Sequence, residues 1–213
     1  MIGYYNYTVI LTFMSLISAL VGMTLSMDGL TVAALICLAL SGFFAMLDGP
    51  VARTKHDRSD DERLFGIQLD SLCDLVAFGV LPAIICYNLG VQGPIGSIAL
   101  VYFVICGVIR LGYFNVRETN NFFSDEVHEK IFVGLPITAS AIILPLTYAL
   151  GLFLGDQGAL VLYHLMLIIT GTLYIGGFQI RKPKIRTLLI LCVVAVVTFF
   201  TLLFIKFPGL IGA

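Results

Sequence analysis

The sequence predicts an all-α fold, a polytopic integral membrane bundle of about six to eight transmembrane helices. Two observations carry this. Of 213 residues, 59% are hydrophobic and only 12% are charged. A soluble domain of this length has no interior large enough to hide so much apolar surface. The apolar residues also fall in runs that reach the roughly 20 residues needed to cross a bilayer. The net charge of −1 by itself says nothing about partners, and no nucleic-acid partner is expected.

Seven runs qualify as spans: 8–26, 30–53, 64–88, 94–116, 132–154, 158–178 and 187–206. The first has no basic residue before it and no cleavage site, so it reads as a span rather than a removable leader. Turn chemistry at Asp28-Gly29, from Gly90 to Pro94 and from Gly155 to Gly158 separates some of these runs. The remaining breaks, 54–63, 117–131 and 179–186, are long or charged. The segment "DRSDDER" at 57–63 reads as a solvated loop. No repeat or linker divides the chain, so residues 1–213 form one transmembrane domain.

Eleven of the twelve basic residues lie at alternate ends of the spans. Arg53, Lys55, Arg58 and Arg63 flank the second break, Arg110, Arg117 and Lys130 the fourth, and Arg181, Lys182, Lys184 and Arg186 the sixth. Only Lys206 lies toward the other side. This bias places the N-terminus and the charged breaks in the cytoplasm, with the C-terminus outside for seven spans. Cys37, Cys73, Cys86, Cys106 and Cys192 all fall in apolar runs without a C-x-x-C pair, and read as small packing residues. His56, His128 and His164 have no metal-ligand spacing.

The informative stretch is "AMLDGPVARTKHDRSDDERLFGIQLDSLCD" at 45–74. Asp70 and Asp74 are four apart, with Gly66 four before, so all three share a helix face. Asp48 ends the second span, and the short break brings it toward them. Idle carboxylates in a membrane cost several kcal/mol on rough insertion scales, about 3 each. A divalent cation removes that penalty, and an all-oxygen donor set suits Mg²⁺ or Mn²⁺. Gly49 and Ala52 are small enough for a ligand to approach, and Arg53 can fork onto a diphosphate. A plain helix end with a snorkelling arginine accounts for Gly49, Ala52 and Arg53, but not for the three acids.

Asp48-Gly49-x-x-Ala52-Arg53 followed by Gly66-x-x-x-Asp70-x-x-x-Asp74 closely resembles the signature of the CDP-alcohol phosphotransferase family, D-x-x-D-G-x-x-A-R, a loop, then G-x-x-x-D-x-x-x-D. Seven of its eight fixed residues are present. "FGIQLDSLCDLVAFGVLPA" (65–83), "RLGYFNV" (110–116) and "GLPIT" (134–138) are similar to the phosphatidylserine synthase branch. The resemblance covers most of 8–140, with only general hydropathy beyond.

The resemblance implies an enzyme, a CDP-diacylglycerol–serine O-phosphatidyltransferase. It implies transfer of a phosphatidyl group from CDP-diacylglycerol to L-serine with release of CMP, in phospholipid biosynthesis. It implies two divalent ions in an intact member, Mg²⁺ or Mn²⁺, and homodimers embedded in membrane lipids. The expected setting is a prokaryotic cytoplasmic membrane, with the active site facing the cytoplasm. By position, Asp48, Asp70 and Asp74 are metal ligands, and Asp74 is also the base. Gly49, Ala52, Arg53 and Gly66 serve the CDP diphosphate. Thr12 and Ser15 add hydroxyls to the nucleotide pocket, or simply pack between helices. Arg110, with Asn115, is the candidate for the serine carboxylate, or else snorkels to headgroups.

Two departures stand out. The loop between Arg53 and Gly66 has twelve residues, where the family usually has eight, which costs little. Ala45 occupies the position of the family's first Asp. An Asp→Ala change, introduced or natural, implies impaired activity in this chain. Within the family, inositol phosphate, glycerol phosphate or choline are alternative acceptors, and ether-lipid donors are an alternative to diacyl ones. Outside it, the alternatives are a non-catalytic lipid- or nucleotide-binding protein and a cation transporter. The acids cluster at one membrane face, and no second half repeats them, which argues against transport.

Overall fold

The computed structural model describes residues 3–4, 6–52, 54–55, 57, 59–123 and 131–181. Arg53, Lys130 and the seventh predicted span, 187–206, lie outside the described residues, as do His56, His128 and Lys206. A 3₁₀ turn, Tyr7–Val9, leads into α1 (Ile10–Met27), and α2 spans Thr31–Ala52. The third membrane-length helix has three parts: α3 (Asp60–Asp74), a π-helical segment (Leu75–Val80) and α4 (Leu81–Asn88). Next come α5 (Gly93–Phe123), strand β1 (Ile131–Val133), a 3₁₀ turn (Ile137–Ala139), α6 (Ser140–Gly151), α7 (Gly155–Ile175) and strand β2 (Gln179–Arg181).

Among the described residues, five helices are long and apolar enough to cross a membrane: Tyr7–Met27, Thr31–Ala52, Asp60–Asn88, Gly93–Asn120 and Gly155–Ile175. Ile137–Gly151 is a shorter apolar helix. The first four predicted spans and the sixth are thus found as helices of spanning length.

Two expectations are corrected. The segment 57–63 is not all loop, because α3 begins at Asp60. Ser59 accepts from the Glu62 amide while the Glu62 carboxylate accepts from the Ser59 amide, a reciprocal capping box. Asp60, Asp61 and Glu62 then sit where the helix dipole favours negative charge. The fifth span does not begin at 132, since residues 131–133 pair antiparallel with 179–181. Gly134 turns the chain at φ +74°, where an added Cβ would lie 2.8 Å from the Tyr174 carbonyl oxygen. Pro136 then precedes the helical turn.

Helix packing follows membrane logic, with small residues and hydroxyls where backbones approach. Ser15 Oγ donates to the Ser41 carbonyl and Ser41 Oγ to the Ser15 carbonyl, while Ser18 Oγ donates to Cys37 O. A Cβ on Gly22 would lie 2.9 Å from Cys37 Cβ, so α1 and α2 meet closely there. At the far end Asn88 Nδ2 donates to Ser26 Oγ at 2.9 Å. The core is lined by Leu35, Leu38, Phe78, Leu81, Phe103 and Tyr174, all fully buried. Many large apolar side chains on the outer faces remain exposed, including Ile17, Ile98 and Val101, as expected of helices surrounded by lipid.

Replacement Ser59→Ala removes the α3 cap and is expected to lower stability by about 1 kcal/mol. The thermal unfolding midpoint of the detergent-solubilised protein checks this.

Candidate active site

The carboxylates come from the last two turns of α2 and from α3. The Asp48 and Asp70 carboxyls are within hydrogen-bonding reach of each other, and Asp74, one turn beyond Asp70, lies in the field of both. Two carboxyl groups in that contact need a shared proton or a shared cation. All three are half-buried. Cys73 lies beside the same three acids on the buried side of α3.

The donor chemistry fits a hard divalent cation, because three carboxylates supply the charged oxygens there. Among the described residues, however, no three His, Cys, Asp or Glu side chains form a closed ligand cluster. One turn before Asp48, Ala45 is half-buried and packs against the core with its methyl group. Around the acids, a Cβ on Gly49 would meet nothing within 4 Å, so α2 borders open space there. Ala52 and Gly66 are half-buried on the facing helices.

The remaining predicted site residues fall in two places. Thr12 and Ser15 are buried on α1. Ser15 is engaged with α2 through Ser41, so the structure uses it in helix packing. Arg110 is only 6% exposed, and its Nε–H donates to the Leu135 carbonyl oxygen at 3.0 Å. It therefore does not snorkel; it points inward at the Gly134-to-Pro136 break. Asn115 bridges α5 to α3: its Oδ1 accepts from Ser71 Oγ, and its Nδ2 donates to Gln68 Oε1 at 3.0 Å.

Several site-supporting residues had no sequence reading. Ser71 and Gln68 flank Asp70 on α3 and hold it to α5. At the open end of the site, Lys55 pairs with Glu62 at 3.4 Å, and Tyr7 Oη lies 2.9 Å from Thr54 Oγ1. Tyr4 Oη donates to Asp61 Oδ2 at 3.3 Å, and its ring packs edge-on against Phe65. These contacts fasten the N-terminal segment across the ends of α2 and α3. The Ser59-x-x-Glu62 spacing was the one local signal for any of them.

Helices of membrane-crossing length with paired carboxylates at one end of the bundle are the features to be matched. The chain belongs to the CDP-alcohol phosphatidyltransferase family, whose model matches residues 5–176. It is 29% identical over 175 residues to the CDP-diacylglycerol–serine O-phosphatidyltransferase of Mycobacterium bovis, covering 81% of this chain and 59% of that protein. It is 36% identical over 145 residues to the archaetidylserine synthase of Methanothermobacter thermautotrophicus, covering 68% and 58%. It is 44% identical over 102 residues to the CDP-diacylglycerol–serine O-phosphatidyltransferase of Helicobacter pylori, covering 47% and 39%. The matches thus span about three fifths or less of these curated relatives' length. No solved structure matches the chain at a significant level.

Removing the Asn115 amide (Asn115→Ala) leaves the buried Ser71 hydroxyl without its acceptor. The expected cost is about 1–3 kcal/mol, read from the thermal midpoint.

Proposed function

We propose that the chain is built to transfer the phosphatidyl group of CDP-diacylglycerol to the hydroxyl of L-serine, giving phosphatidylserine and CMP. The observation that carries this reading is the meeting of Asp48 and Asp70 across α2 and α3, within a sequence similar to relatives named for that reaction. Asp48, Asp70 and Asp74 are the groups that would hold Mg²⁺ or Mn²⁺, with two ions where a carboxylate also stands at position 45. When bound, the metal polarises the diphosphate and offsets charge on the departing CMP.

The chain's own groups have separate tasks. Asp74 accepts the proton of the serine hydroxyl while the new oxygen–phosphorus bond forms and the bond to CMP breaks. The open space beside Gly49, with the small Ala52 and Gly66, receives the nucleotide end of the donor. Arg53 pairs with its phosphate oxygens, and Thr12 of α1 offers a hydroxyl to the nucleotide. Arg110 takes the serine carboxylate. Its buried position supports this, since an inward cation within a membrane helix needs an anion. Asn115 supports the serine side from α5, chiefly by holding Ser71 and Gln68.

The acids share their end of the bundle with the Lys55–Glu62 pair, which the charge bias assigns to the cytoplasm. The proposal therefore includes a multi-pass protein of a prokaryotic cytoplasmic membrane with a cytoplasm-facing site. A homodimer belongs to it as well, supported by the family resemblance alone. The archaeal relative's name favours one further reading, an ether-lipid CDP donor with the same acceptor.

Ala45 leaves the carboxylate set one short, and the chain is expected to turn over poorly. Ala45→Asp is expected to raise metal-dependent CMP release by about 100-fold, the upper range for groups that support a metal. The assay uses CDP-diacylglycerol or its ether analogue, with serine, inositol phosphate and glycerol phosphate in parallel. A restored protein that binds the donor yet makes no product with any acceptor ends the enzyme reading. In the Ala45→Asp background, Arg110→Leu should raise KM for serine by about 10- to 100-fold, the worth of a charged hydrogen bond. An unchanged KM would remove Arg110 from the serine pocket.

A further inference from the structure

The third membrane helix is not uniform. Immediately after Asp74, residues Leu75–Val80 adopt a π-helical turn, and the Leu81 amide reaches back to the Val76 carbonyl. Pro82 follows at the start of α4. In an α-helix the Phe78 carbonyl would accept from the amide of residue 82, and proline has none. A π turn at this place matches the common association of such turns with functional sites.

Ser140 supplies a donor from outside the helix. It is 1% exposed, and its Oγ lies 3.0 Å from the Phe78 carbonyl oxygen and 3.1 Å from the Ile137 carbonyl oxygen. A hydroxyl has one proton to give. Tyr174 Oη donates to the same Ile137 oxygen at 3.1 Å, so that carbonyl keeps a donor when the Ser140 proton is turned to Phe78. The next residue, Ala141, packs on α2: a Cβ on Gly42 would lie 2.8 Å from Ala141 Cβ and 3.9 Å from the Phe78 ring. The entry turn of α6 therefore touches both helices that carry the carboxylates. It meets α2 six residues before Asp48, and the π segment four residues after Asp74.

We propose that Ser140 is a positioning residue: by holding the Phe78 carbonyl while Ala141 seats against Gly42, it sets the spacing of Asp48 from Asp70 and Asp74. This rests on the reading of those three carboxylates as a cation site. Ser140 itself touches neither substrate nor metal, and its effect passes through the π segment.

The test is Mn²⁺ binding to the intact, detergent-solubilised chain, read by electron paramagnetic resonance, alongside the thermal midpoint. The unmodified chain, Ser140→Ala, Ser140→Thr and Gly42→Ala are compared. Ser140→Ala is expected to weaken Mn²⁺ binding about 10-fold, the scale seen for groups that orient metal ligands. Ser140→Thr, which keeps the hydroxyl, should recover most of that loss. Gly42→Ala, which must push α6 away from α2, should weaken binding with Ser140 intact. A Ser140→Ala protein that binds Mn²⁺ as tightly as the unmodified chain, whatever its thermal midpoint, overturns the proposal and leaves the cation site standing. If neither the unmodified chain nor its Ala45→Asp form binds Mn²⁺, the cation-site reading fails, and the Ser140 proposal falls with it.

Discussion

Two carboxyl groups from different helices, Asp48 and Asp70, are brought within reach of each other in a bundle made almost wholly of apolar side chains. In water this contact would relax by a few ångströms of side-chain movement. Between packed helices it cannot, because neither helix is free to move. Small residues and hydroxyls lock α1 to α2, Asn115 ties α3 to α5, and the entry of α6 wedges between α2 and the π segment. An unfavourable juxtaposition is held by many ordinary contacts, which is how strained functional sites persist.

The polar interactions divide by depth. Toward the middle and far end of the bundle, serine hydroxyls bond to backbone carbonyls, and Asn88 to Ser26. Those bonds satisfy groups that lipid cannot solvate. At the carboxylate end the contacts are between side chains: Lys55 with Glu62 and Tyr4 with Asp61, which involve charge, and the neutral amide pair Asn115 with Gln68. The first kind fixes helix spacing. The second ties together the helix ends around the carboxylates.

Much of this was legible in the sequence because the relevant signals are local. Apolar run length gave five of the seven expected spans, the four-residue spacing of Asp70 and Asp74 placed them on one face, and charge bias gave an expected sidedness. The errors have definite causes. The acidic composition of 57–63 hid the Ser59–Glu62 cap, a local signal outweighed by hydropathy. The start of α6 was misplaced because residues 131–133 pair with 179–181, nearly fifty residues away, and no local pattern announces such a partner. The partners of Asn115 and Ser140 lie 44 and 62 residues off and are visible only once helices are packed. Ala45 is the opposite case, plain in the sequence and unremarkable in the packing, where its methyl group simply joins the core.

The π segment has a consequence for how the third helix tolerates change in length. A π turn accommodates about one residue more than an α-helix uses for the same rise. Losing one residue within 75–80 can be absorbed by tightening that turn, leaving the acidic face of α3 and the buried face of α4 in their present directions. Losing one residue on either side of it has no such reserve, and turns one half of the helix by about 100° against the other. The span thus carries its own slack at the junction between its carboxylate half and its packing half, and a gap in an alignment of related chains is best tolerated there.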